Sequence, residues 1–153
     1  MPIKIICLFF AILGGCASYF GDVQPSKMIN DFFRLSTSEQ LNEFKNHNLE
    51  EQYDLFLFGN QTIHPPAIYL ARSFAEQGSI IVPFLKTKLE STHDEATIRD
   101  ITAIFSELSS LRLYNFQSDF GLMNLLEQKA NSMQGIWKET TLKMISEIRS
   151  AGN

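Results

Sequence analysis

The amino-acid sequence predicts an all-α domain, and three observations carry that prediction. Apolar residues recur at helical spacing from Met28 to Ile148. Polar residues with helix-capping chemistry stand ahead of several of those stripes. No stretch alternates apolar and polar residues with the period of two that a half-buried strand requires. Apolar residues make up 44% of the 153 positions and charged residues 20%, the composition of a globular domain rather than a disordered or polytopic membrane chain.

The elements follow in chain order, about seven or eight short helices over residues 26–150. Met28, Ile29, Phe32 and Phe33 share one helical face. Ser36 with Glu39 forms a capping-box pattern ahead of Leu41 and Phe44. Asn48 with Glu51 repeats it ahead of Tyr53, Phe56 and Leu57, and Gly59 supplies a stop. Pro65-Pro66 suits a helix start before the stripe Ile68, Ala71, Phe74 and Ala75, which Gly78 ends. Ser79 is placed to cap a helix from Ile80 to Glu90. Asp94 is placed to cap the clearest stripe, formed by Ile98, Ile101, Ile104, Phe105 and Leu108. Leu122, Leu125, Leu126, Ala130 and Met133 mark the next helix, and Trp137, Met144, Ile145 and Ile148 the last.

The pairing of these helices has a partial repeat. An offset of 30 residues lays Ile68 on Ile98, Ala71 on Ile101, Phe74 on Ile104 and Ala75 on Phe105. Val82-Pro83-Phe84-Leu85, Leu89, Asp94 and Ile98-Arg99 together resemble the second helix of one HEAT repeat running into the first helix of the next. That resemblance implies short antiparallel helix pairs stacked as a HEAT-like array; an irregular helical bundle is the other arrangement the pattern allows.

The first sixteen residues read differently. Met1-Pro2-Ile3-Lys4 carries one positive charge, Ile5–Leu13 is an unbroken apolar run, and Gly14-Gly15-Cys16 follows. Ile5 to Ala17 is 13 residues long, short of the roughly 20 that span a bilayer as a helix. The order is that of a secretory signal peptide over residues 1–15. Leu13-Gly14-Gly15-Cys16 resembles the lipobox of bacterial lipoproteins. The resemblance implies a diacylglyceryl (palmitate-type) modification of the Cys16 thiol, cleavage before Cys16, and acylation of the new amine. Two or three acyl chains anchor stably where one binds only marginally. Ala17 rather than Asp after the cysteine implies, by the same resemblance, the outer membrane, with the domain facing the periplasm. Residues 16–25 then form a lipid-anchored tether of at most about 30 Å.

Cysteine usage agrees with that reading. Cys7 leaves with the signal peptide and Cys16 takes the lipid, so no disulfide is expected. Without Lys4 the chain carries 12 basic and 17 acidic residues, a net charge of -5. An acidic balance argues against nucleic acid as a partner.

Chemistry-bearing clusters are sparse. His47, His64 and His93 each fall beside a predicted helix end, where a histidine complements the helix dipole, and no His-x-x-x-His or cysteine pair accompanies them. His93-Asp94-Glu95 is the densest titratable run; Asp94 as a cap and a Glu95–Arg99 pair account for it. Ile63-His64-Pro65-Pro66 is a stiff connection, and Asn60-Gln61-Thr62 fits a glycosylation sequon that a bacterial lipoprotein does not normally use. Tyr114, Phe116 and Phe120 crowd one connection, either as packing residues or as binding anchors. Gly-x-Ser-x-Gly, P-loop and GxGxxG motifs are absent.

No catalytic, metal or cofactor-binding residue is therefore expected. The sequence points to a non-enzymatic protein–protein interaction module in the bacterial cell envelope, with an assembly, pilotin-like or inhibitor/immunity role and an envelope protein as partner. The alternative is an envelope enzyme or small-ligand carrier, which needs His64, His93 or an acidic residue turned into a cleft between helices.

Overall fold

A computed structural model describes residues 26–151. The signal-peptide, lipobox and tether expectations, Cys16 among them, fall outside those residues. The described chain is all α, with eight α-helices and no strand. They are α1 (Lys27–Phe32), α2 (Thr37–Phe44), α3 (Leu49–Gln61), α4 (Tyr69–Ala75), α5 (Val82–Ser91), α6 (Glu95–Ser110), α7 (Phe120–Ser132) and α8 (Lys138–Ser150). Two short 3-10 turns, Gly78–Ile81 and Phe116–Ser118, lead into α5 and α7.

The local caps form as the spacing predicts. Ser36 accepts from Glu39 N while Glu39 accepts from Ser36 N at 2.8 Å, closing the first capping box. Asn48 Oδ1 accepts from Glu51 N at 3.0 Å and Glu51 returns the bond to Asn48 N, closing the second. Asp94 Oδ2 accepts from Thr97 N at 2.8 Å at the head of α6. Each satisfies N–H groups that the first helical turn leaves without partners.

Three local expectations are corrected. Gly59 does not stop α3, which continues to Gln61. Its absent side chain lets two neighbours in: a Cβ there would stand 2.7 Å from Phe33 Cζ and 2.9 Å from Ala67 Cβ. Ser79 caps nothing, because the turn from Gly78 runs straight into α5 and Ile81, the residue ahead of the helix, is already helical. Ile68 is 69% exposed, since α4 starts only at Tyr69 and Ile68 precedes its first turn. The repeat pairing of Ile68 with the buried Ile98 fails there, while Ala71, Phe74 and Ala75 are buried as expected.

The Gly59 contact predicts a mutational outcome. Gly59→Ala gains helix propensity but must displace Phe33 and Ala67, so a net loss of about 1–2 kcal/mol is expected in urea unfolding. Gly121→Ala is the matched control, because its Cβ would meet only Asp119 Oδ1, at 3.5 Å. That variant should be neutral or slightly more stable.

Helix α6 is the hub, packing against α3, α4, α5, α7 and α8. Its contacts with α4 and α8, each two elements away in sequence, set these three helices side by side; α5 adjoins α7 in the same manner. These contacts fit a stacked array of helix pairs and an irregular helical bundle alike. Ile98, Ile101, Ile104, Phe105 and Leu108 are all buried, in one core with Leu85 and Leu89 of α5. Phe44, Phe56, Phe74 and Phe105 are the largest wholly buried side chains. Among the described residues no helix is long and apolar enough to cross a membrane.

Candidate functional site

The α6–α7 connection builds the principal concave surface. Leu111 ends α6, and Arg112 then takes a left-handed φ of 56°. That geometry lets Arg112 N reach Ser109 O and Leu113 N reach Leu108 O, both at 3.0 Å, which satisfies carbonyls at the helix end. The chain is thereby turned so that Leu113 is 40% exposed while Phe116 folds under it, 3% exposed. Phe116 meets Phe105 of α6 edge-on at 5.8 Å and Tyr114 at 4.9 Å.

Tyr114 and Asp119 lock the far side of this connection. Tyr114 Oη donates to Asp119 Oδ2 at 2.6 Å, and Asp119 Oδ1 accepts from Leu122 N at 2.9 Å as the cap of α7. The bond from Tyr114, then the one from Leu122 N, holds the Asp119 carboxyl below its ordinary 3.8. Burial first, then the bond to the Asp119 carboxylate and its charge, pushes the Tyr114 phenol up to about 12.

The two shifts set opposite edges of a pH window. A depressed carboxyl adds stability above its unfolded value near 3.8, lost as pH falls below that. A raised phenol adds stability below its unfolded value of 10, lost as pH rises through about 12. Asp119→Ala should cost about 1–2 kcal/mol at neutral pH through the lost cap. Tyr114→Phe should keep the cap and move the acid unfolding midpoint toward neutrality, while its deficit at neutral pH should shrink as pH rises from 10 to about 12, because no phenol is left to ionise. Unfolding monitored by far-UV circular dichroism across pH checks both.

Two open cavities flank Phe116 and Gln117. One, of about 510 Å³, is bounded by Arg112, Leu113, Asn115 and Ile148; the other, of about 520 Å³, by Phe120, Met123, Asn124 and Arg149. Phe120 stands 76% exposed on the rim. The aromatic cluster thus divides its roles: Phe116 is core, Tyr114 is a half-buried strut, and Phe120 is presented to solvent. The charged residues lining these cavities are Arg112 and Arg149. Arg149 pairs with Glu127, whereas Arg112 has no ion pair among the described residues.

The histidines stay apart. His47 lies between α2 and α3, with Nδ1 3.2 Å from Glu51 Oε2 and Nε2 3.9 Å from Glu43 Oε1. Its ring packs edge-on against Phe32 at 6.1 Å. His64 and His93 are exposed in separate connections, and none of the three lines the cavities beside Phe116. Among the described residues no three His, Cys, Asp or Glu side chains are grouped to hold a metal.

The Glu95–Arg99 pairing does not form. Glu95 instead accepts from Gln134 N at 2.5 Å and Gly135 N at 2.9 Å, pinning the α7–α8 connection to the start of α6. Arg99 turns to Asp100, which is fully buried, with Nε 2.7 Å and Nη2 2.5 Å from Asp100 Oδ1. Its guanidinium also stacks on the Trp137 ring, 4.1 Å from the centroid. Asn60 Nδ2 and Gln61 Nε2 donate to the same carboxylate at 2.5 and 2.8 Å. Asn60 is therefore held by Asp100 rather than presented as a sequon. Burial pushes the Asp100 carboxyl above its usual range, while the bonds from Gln61, Arg99 and Asn60 and the Arg99 charge oppose that.

Sequence reasoning passed over this network. One indication was available: Asp100 lies four residues before Ile104, on a face of α6 that is wholly buried. No protein family, curated protein or solved structure matches the chain.

Proposed function

We propose that the protein is a bacterial envelope lipoprotein, held to the membrane through Cys16, whose helical domain is a non-enzymatic protein–protein interaction module. The observation that carries the interaction reading is the groove around Phe116. An aromatic floor fixed to the core, an exposed Phe120 at the rim and flanking polar residues are the composition of an interface patch. Arg112 and Arg149 give that surface a positive character on a chain with 17 acidic and 13 basic residues. The partner it suits is an envelope protein offering an apolar side chain next to a carboxylate.

The anchor rests on Leu13-Gly14-Gly15-Cys16 and the apolar run before it. A short tether keeps the groove near the bilayer, where lipid attachment confines the search for a partner to two dimensions and raises its effective concentration. Metabolic labelling with palmitate tests the anchor. The wild-type chain should take up label and remain in the membrane fraction, and Cys16→Ser should lose both. Label retained after Cys16→Ser would refute the anchor.

A further inference from the structure

The large exposed apolar side chains divide between two ends of the helix array. Helices α4, α6 and α8 run in one direction. α6 and α8 meet start to start, where the Arg99 guanidinium stacks on Trp137, and end to end, where Ser109 and Ile148 line one cavity. The chain enters α4 at Ala67, whose N–H donates to Gly59 O at 3.0 Å, two residues before the Gln61 that reaches Asp100 of α6. Further along α4, Arg72 lies 3.5 Å from Glu107, near the end of α6. The starts of the three helices therefore share one end of the domain. Leu113 and Phe120 belong to the other end, with the groove, and Ile80 precedes α5, which returns the chain to the start of α6.

The end that holds the three helix starts exposes Ile68, Ile136 and Trp137; Ile136 is 84% exposed and Trp137 37%. Ile68 and Trp137 occupy the cap positions of α4 and α8, where a polar side chain would ordinarily bond the first turn, and neither helix has a side-chain cap. The chain from Cys16 also arrives beside this end. Phe33, the residue after α1, closes its ring on Gly59 and meets Phe58 at 5.6 Å, next to the entry into α4. The six residues of α1 cover about 9 Å, so the tether joins the domain a short way from Ile68. Residues 16–25 reach at most about 30 Å.

We propose that this end of the domain rests on the bilayer surface, with Ile68, Ile136 and Trp137 inserted at headgroup level. The proposal rests on the Cys16 anchor and goes beyond it by fixing which way the domain stands. A tryptophan suits the interface because its ring is apolar and its N–H is polar. Lipid attachment holds the domain at the surface, so three apolar side chains suffice to orient it where they would not recruit a free protein. The charges here do not form a basic patch. Arg99 is taken up by Asp100, Lys138 donates to Asn131 O at 2.9 Å, and Asp94 and Glu95 are acidic. The lipid this surface fits is therefore zwitterionic rather than anionic. The groove around Phe116 then faces away from the membrane, raised by the length of α6, about 24 Å.

Trp137 is the only tryptophan in the chain, so its emission reports on this end directly. The mature lipidated chain is reconstituted into phosphatidylcholine–phosphatidylethanolamine vesicles, with and without bromine on the acyl chains, and the vesicles are floated on a density gradient. Chains that float should lose roughly half of their Trp137 emission in the brominated vesicles, since interfacial apolar groups reach about 5–10 Å into the headgroup–acyl boundary. Ile68→Asp combined with Ile136→Asp should float equally and lose that quenching. Should the double variant fail to fold, Ile136→Asp alone, at the most exposed position, should reduce it. Ile80→Asp, at the other end, should float and be quenched like the wild type. Unquenched emission from floated wild-type chains, or full quenching in the folded Asp variants, would overturn the proposal with the anchor intact, and would leave this end to a protein. Failure of the wild-type chain to float would overturn the anchor itself, and the proposal with it.

Discussion

Replacing Arg99 with alanine should lower the domain's stability by roughly 3–5 kcal/mol, the cost of leaving a buried carboxylate without its cation. The Arg99 side chain is 14% exposed and that of Asp100 not at all. Asn60 and Gln61 would remain as donors, but neither carries charge. The pH dependence gives the loss a distinct signature. Burial already raises the Asp100 carboxyl, and removing Arg99 raises it further. A carboxyl raised in the folded state favours folding most below its unfolded value near 3.8, and that contribution is lost as pH rises through the folded value. The deficit of Arg99→Ala should therefore shrink on acidification, and adding Asp100→Asn should recover much of it at neutral pH. Urea unfolding followed by circular dichroism at several pH values measures this. A deficit under 1 kcal/mol, or one independent of pH, would show that the network does not hold α3, α6 and α8 together.

Phe105→Ala should cost about as much, roughly 3–5 kcal/mol, by a different route. Phe105 is wholly buried on the hub helix, so truncation removes its apolar surface and leaves a cavity in the core. That is a large share of the roughly 5–15 kcal/mol typical of a domain. No cysteine follows Cys16, so no disulfide compensates. Phe105 also supports Phe116 edge-on, so the interaction proposed for the groove should weaken even under conditions where the variant remains folded. An unchanged thermal midpoint would contradict the place given to α6 in the core.

Features set by neighbours in sequence were legible. The caps of Ser36, Asn48 and Asp94 depend on atoms three residues away, and the α6 stripe depends on helical spacing alone. Features set by distant neighbours were not. Gly59 read as a stop because glycine commonly ends helices; its real reason is the approach of Phe33 and Ala67, which no local pattern encodes. Arg99 read as the partner of Glu95 four residues earlier, while the true arrangement brings in Asn60, Gln61 and Trp137, which lie about 40 residues away on either side. The groove was half legible. Tyr114, Phe116 and Phe120 stood out as a cluster, but separating the buried ring from the exposed one required the left-handed turn at Arg112.

Photo-crosslinking in intact cells bears on the interaction reading without first knowing the partner. A photoreactive amino acid at Phe120, on the rim of the groove, is compared with one at Ile80, which is 71% exposed on the turn before α5. Position 120 should yield a discrete crosslinked envelope protein, lost when Arg112 and Arg149 are both changed to Glu, and position 80 should not yield it. No product at position 120, or the same products at both positions, would contradict an interaction module built around this groove.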